Sequence, residues 1–212
     1  ALAAGLFLLE WIPSFFGPYG YFIDELYYLA CAARPAWGYV DHPPFSILIL
    51  AISRRLLGDS LPALRLVPAL FGAATVVLTG ALARRLGAGT FGQVLAAVAT
   101  VFAPIPLIMF GIYSMNSIEM LLWTASFYVL AVLLEKNEPR WWLLFGLLAG
   151  IGLLNKHTTV LLGAAVAIGV LLSPARKHLA TRWPWLGAGL AALIVMPNLW
   201  WQHTHGWPSL EF

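Results

Sequence analysis

The chain has one cysteine, Cys31, so no disulfide can form within it. Charge is nearly as scarce. Charged residues make up 10% of the chain, against about 25% in an ordinary globular domain. Hydrophobic residues make up 61%, and the mean hydropathy is +0.83. A water-soluble core cannot absorb that much apolar side chain, so the composition reads as an integral membrane protein. Short alternating segments of roughly 10 residues, the mark of a membrane β-barrel, are missing. The basic residues are scattered between apolar runs, so the pI of 9.2 reflects topology signals and not a nucleic-acid patch. There is no glycine-rich phosphate loop and no serine nucleophile elbow. The first apolar run, ALAAGLFLLEWIPSFF, lacks a basic n-region and a small-residue cleavage site, which argues against a signal peptide. The chain opens without Met inside that run and stops just after a polar loop. It therefore reads as one transmembrane domain over residues 1–212, part of a longer membrane protein.

What is abundant is spanning material. The hydrocarbon core is about 30 Å thick and a helix rises 1.5 Å per residue, so a span needs about 20 apolar residues. Residues 1–16 form the tail of a first span. Residues 61–83, ending at Arg84 and Arg85, the charge-free residues 90–110, residues 117–134 and residues 184–201 follow as further spans. Residues 43–57 would reach only about 22 Å, and they read as an interfacial helix with Arg54 and Arg55 at the headgroups. Residues 141–172 would run about 48 Å as one helix. The polar Asn155-Lys156-His157-Thr158 interrupts them, and a buried lysine would cost about 3 kcal/mol. Two short helices with a turn there fit better. The expected fold is thus an all-α polytopic bundle of about seven spans.

This alternation assigns the polar groups to sides. One side takes Arg84, Arg85, Lys136, Arg140, Arg176, Lys177 and Arg182, and its greater share of Lys and Arg marks it as cytoplasmic. Asp24, Glu25, Asp41, His42, Asn116, Glu119, Lys156, His157, His203 and His205 then share the outer side. Separate loops supplying one face with acids, imidazoles and a lysine are how a membrane bundle builds a site.

Each group also has a plainer explanation. Asp24 and Glu25 are an acid pair that a helix N-terminus would favour, or carboxylates suited to general-base work or metal binding. Asp41-His42-Pro43-Pro44 resembles a turn, or presents an imidazole on a stiff loop. Asn116 and Glu119, three apart, share a helix face. Glu119 is either a first-turn acid or a functional one. Lys156 is a snorkelling anchor or a point charge for a phosphate. Arg54, Arg55 and Arg65 suit a lipid phosphate or ordinary headgroups. WWQHTHGW at 200–207 is an aromatic belt whose His203 and His205 can chelate on an extended segment. With His42 they are the metal candidates, and use of a divalent ion stays open.

The order of these features resembles a known family. FIDELYY at 22–28, GYVDHPPF at 38–45, ALRLVPALFGAATV at 63–76, SMNSIEMLLW at 114–123 and GLLAGIGLLNKHT at 146–158 carry the likeness over most of the chain. They look like the family 39 glycosyltransferases of the GT-C membrane fold, which include the protein O-mannosyltransferases and the lipid A aminoarabinose transferases. The resemblance implies a polyprenyl-phosphate-linked sugar donor, a lipid, glycan or protein acceptor, and catalysis on the outer face of a bacterial plasma membrane. It also implies membrane-parallel helices in the first outer loop. Asp24 matches the family's essential first-loop acid, and Lys156 matches a lysine after the short helix. Glu119 stands where the family usually has Asp, a departure that leaves its role open. Together with the shared outer side, this makes Asp24, Glu25 and Glu119 the candidates for catalysis. Asp41, His42, Arg54, Arg55, Arg65, Asn116, Lys156 and His157 are the candidates for substrate binding. The competing reading is a transporter or lipid flippase with an outer-facing polar site, which needs ionisable groups in mid-span and broken helices along a pathway.

Overall fold

A computed structural model describes residues 1–211. Every regular element is helical, and there is no strand among the described residues. The all-α expectation therefore holds. The helices are α1 (Leu2–Trp11), α2 (Pro13–Phe16), α3 (Ile23–Ala32), α4 (Phe45–Leu57), α5 (Leu61–Arg85), α6 (Thr90–Phe102), α7 (Pro104–Gly111), α8 (Met115–Lys136), α9 (Trp141–Asn155), α10 (Thr159–Leu171), α11 (Trp183–Thr204) and α12 (Pro208–Glu211). A 3₁₀ segment, Pro174–Ala180, lies between α10 and α11. The chain forms two compact units, Ala1–Pro35 with Ser46–Thr124, and Ala36–Phe45 with the chain from Ala125 onward.

In the first unit, α5 starts where Ser60 Oγ accepts the Ala63 N–H, with Pro62 in the first turn. Both features favour a helix start. Arg84 and Arg85 complement the dipole at its far end, and the chain turns away through Gly87 at φ +91°, a conformation that favours glycine. Leu6, Val76, Ala97, Val101 and Phe110 form the core between α1, α5, α6 and α7. Gly72 makes this packing possible, because a Cβ there would stand 2.8 Å from Phe110 Cγ.

Residues 90–110 are not the single straight span expected from hydropathy. α6 and α7 meet at a 59° bend. Proline lacks the N–H that would continue the helix and drives its predecessor out of the α region. Ala103, before Pro104, is accordingly extended at φ −71°, ψ 133°.

The second unit is built on α9 against α11. A Cβ at Gly146 would collide with the Gly187 carbonyl, and one at Gly187 with the Trp142 carbonyl. Gly150 faces Ala191 one turn further, at 2.9 Å from a would-be Cβ to Ala191 Cα. Small residues four apart on both helices bring the backbones together, as is common in membrane bundles. Val129, Leu133, Trp142, Phe145, Val170 and Ala175 fill the core beside them. The expected break within 141–172 is present. α9 ends at Asn155, Lys156 is extended at φ −158°, ψ 132°, and α10 begins at Thr159.

By length and composition, α5 and α8 can each cross a membrane. Counting α6 with α7, and α10 with the 3₁₀ segment bent from it by 103°, gives up to four among the described residues. Seven is not reached on this measure. α9 and α10 have 15 and 13 residues, about 22 and 20 Å, each short of the hydrocarbon thickness. α11 runs unbroken through Pro197 and carries Asn198, Gln202 and His203 in its second half.

Candidate active site

The acid pair at the start of α3 separates into two environments. Glu25 is the third helical residue, and its Oε2 reaches back to accept the Phe22 N–H at 2.8 Å. This is the return half of a capping box. The same oxygen accepts from Arg65 Nη2 at 2.9 Å. Oε1 accepts from Arg65 Nε at 3.0 Å and from the Tyr113 main-chain N–H at 2.9 Å. Four donors fill the roughly four lone-pair positions of a carboxylate. Glu25 is 0% exposed. Its bidentate pairing with Arg65 has the fork geometry that makes such contacts strong and directional. Arg65 also donates to the Gly20 carbonyl at 3.1 Å. Asp24, next to Glu25, stays exposed.

One turn along α3, the buried Tyr28 Oη accepts the Met115 N–H at 3.2 Å. Its ring meets Tyr113 edge-on at 5.9 Å, and Tyr113 Oη donates to the Ser46 carbonyl at 2.6 Å. Burial, and secondarily Tyr28, push the Tyr113 phenol well above its usual pKa, so it remains a hydrogen-bond donor. α3 thus anchors the backbone at 113 and 115, where α8 begins. Asn116 and Glu119 follow on the first turns of α8, three apart and half-buried.

The three candidate arginines differ in what occupies them. Arg65 is committed to Glu25. Arg54 donates to the Leu29 carbonyl at 2.9 Å and holds Asp59 through two bonds, one of 3.2 Å from Nη2 to Oδ2. That guanidinium keeps the Asp59 carboxyl below its ordinary range. Arg55 is exposed. With Arg54 and Asp59 it lines a depression of about 310 Å³ beside Ala32, Ala33 and Ala51.

The remaining candidates lie in the second unit. His42 is buried, and its Nδ1 donates to the Pro43 carbonyl at 3.0 Å. The Asp41 carboxylate lies 3.8 Å from His42 Nε2. Lys156 is half-buried and His157 exposed. His157 Nε2 lies 3.5 Å from Asn198 Oδ1. His205 stacks on Trp201 at 4.3 Å, and His203 packs beside Trp200 and Trp207. Among the described residues, no three His, Cys, Asp or Glu are grouped to hold a metal ion. The outer-side set is therefore divided. Asp24, Glu25, Arg54, Arg55, Arg65, Asn116 and Glu119 belong to the first unit, and Asp41, His42, Lys156, His157, His203 and His205 to the second.

Sequence reasoning missed Tyr113, Asn198 and Gln202, all buried. Asn198 and Gln202 carried a legible signal, two amides one turn apart in an apolar run directly after Pro197. Tyr113 carried none, because an aromatic residue beside apolar neighbours does not announce a buried hydroxyl.

An all-helical chain with apolar helices of spanning length, and acids gathered at helix starts, has the character of a polytopic membrane protein. Residues 41–201 match the family profile described as dolichyl-phosphate-mannose-protein mannosyltransferase, and the chain belongs to that family. It is an integral membrane protein. It is also similar to the lipid A galacturonosyltransferase RgtD of Rhizobium johnstonii, with 26% identity over 189 residues, covering 87% of this chain. The chain spans 39% of the length of that relative.

Proposed function

We propose that this chain is part of the transmembrane domain of a longer glycosyltransferase. The enzyme moves a sugar from a polyprenyl-phosphate-linked donor to a lipid, glycan or protein acceptor. The reaction takes place on the extracytoplasmic face of a bacterial plasma membrane, with α3 and α4 lying along that face within a bundle of about seven spans. Family membership and the galacturonosyltransferase relative support the reaction class.

The observation that carries the site is the contrast between Asp24 and Glu25. Glu25 has all its acceptor positions filled, whereas Asp24 is exposed beside it. Asp24 is the acid of the pair available as a base. It takes the proton from the acceptor hydroxyl or amine as the new bond to the anomeric carbon forms. The bond from that carbon to the phosphate oxygen breaks, and the lipid phosphate leaves with the electron pair. Charge on that phosphate needs a cation. Arg55 serves this role in the first unit, since Arg54 and Arg65 are engaged. Glu119 and Asn116 orient the acceptor from the start of α8. Asp41, His42, Lys156 and His157 are a further substrate-binding group in the second unit.

The test is reconstitution of the full-length protein in nanodiscs with a radiolabelled polyprenyl-phosphate sugar and a membrane extract as acceptor source. Label moving to an acceptor with stoichiometric release of polyprenyl phosphate supports the reading. Uptake of the intact lipid-linked sugar into proteoliposomes without transfer would replace it with transport.

A further inference from the structure

The loop that carries Asp41 and His42 is tied to α11 by groups with no assigned role. Asn198 and Gln202 are buried, one turn apart on α11. Asn198 Nδ2 donates to the Trp37 carbonyl at 2.8 Å. Gln202 Nε2 donates to Ser209 Oγ at 2.6 Å, and Ser209 Oγ in turn donates to the Tyr39 carbonyl at 3.3 Å. The intervening residue, Gly38, lies flat against α11. A Cβ there would overlap the Trp201 ring and stand 2.9 Å from Asn198 Nδ2. Within the loop the Tyr39 N–H donates to the His42 carbonyl at 3.1 Å, and the two rings lie 5.0 Å apart. A carbonyl only accepts, so His42 Nδ1 carries a proton in its contact with Pro43, and Nε2 lies 3.8 Å from the Asp41 carboxylate.

Two buried amides in an apolar helix are costly unless they are satisfied. Their amide nitrogens are satisfied by holding this loop, that of Asn198 directly and that of Gln202 through Ser209. Of Asp41 and His42, Asp41 has the more exposed side chain, at 27% against 1%. We infer that Asn198 and Gln202 form a latch on α11 that positions the Asp41–His42 loop, and that they act on substrate binding through Asp41. The kinetic part of this inference rests on the glycosyltransferase reading; the structural part does not.

The test uses the full-length protein in nanodiscs, with Asn198→Ala and Gly38→Ala releasing the loop from opposite sides. Hydrogen exchange of peptides covering 37–43 is expected to quicken at least tenfold in both variants, with α9 peptides unchanged. In the transfer assay, the KM for one substrate is expected to rise about tenfold with little change in kcat. That rise is expected to vanish when Asn198→Ala is made in an Asp41→Asn background, as it must if the two act as one unit. Unchanged exchange at 37–43 in the Gly38→Ala variant overturns the latch. Full multiplication of the Asn198 and Asp41 effects overturns the route through Asp41. If the wild-type protein transfers no sugar while both variants show faster loop exchange, the glycosyltransferase reading is refuted and the latch stands.

Discussion

Glu25 and Arg65, 40 residues apart in sequence, meet through two hydrogen bonds of 3.0 and 2.9 Å, with the carboxylate fully buried. Removing one partner of a buried pair leaves an uncompensated charge and costs about 3–5 kcal/mol, whereas replacing both costs far less. Glu25→Gln and Arg65→Met are each expected to lower the thermal midpoint of the detergent-solubilised protein strongly. The double variant is expected to be more stable than either single one. Additive losses would show that the two side chains act independently.

Arg54 and Asp59 form an exposed counterpart. The Asp59 carboxyl is depressed by the adjacent guanidinium. A carboxyl with a lowered folded-state pKa contributes stability above its unfolded value and loses it as pH falls through the folded one. The pair is therefore intact throughout the neutral range. Asp59→Asn is expected to lower the thermal midpoint slightly at neutral pH and to match the wild type below the ordinary carboxylate range. A gap between the two proteins that persists in acid would contradict this.

The contact of α9 with α11 gives a steric test. Gly146 and Gly187 each face backbone of the other helix with no room for a Cβ. Gly163 on α10 has nothing within 4 Å of a would-be Cβ. Gly146→Leu is expected to abolish accumulation of folded protein. Gly163→Ala is expected to be neutral or stabilising by about 0.5–1 kcal/mol, because alanine suits a helix better. Thermal unfolding of purified protein distinguishes the two, and a tolerated Gly146→Leu would refute the close packing.

Much of this architecture was legible in the sequence. α5 and α8 were visible as long apolar runs ending in basic residues, and the break at Lys156 was visible because a charged residue would otherwise sit in mid-helix. The bend at Pro104 was missed because hydropathy averages over a proline that changes backbone direction. Glu25 and Asp24 could not be told apart, since adjacent carboxylates on a helix start look alike until one is seen buried against Arg65. The same holds for the arginines, whose partners lie distant in sequence, as Arg65 with Glu25, or on a following loop, as Arg54 with Asp59.

Arg55 carries the charge proposed to meet the donor phosphate. A hydrogen bond to a charged group contributes about 1.5–3 kcal/mol, and 1.4 kcal/mol is a factor of ten in affinity. Arg55→Gln is expected to raise the donor KM by about 10- to 100-fold, and to weaken its dependence on ionic strength. An unchanged donor KM would remove Arg55 from the site.

The central claim is that Asp24 is the base. A positioned general base contributes about 10²- to 10⁴-fold to the rate. The direct measurement is single-turnover sugar transfer from a polyprenyl-phosphate donor by the full-length enzyme, comparing wild type with Asp24→Asn at matched donor occupancy. The expected result is a fall of at least about a hundredfold in the transfer step with donor binding retained. Transfer by Asp24→Asn at a rate near that of the wild type would contradict the account.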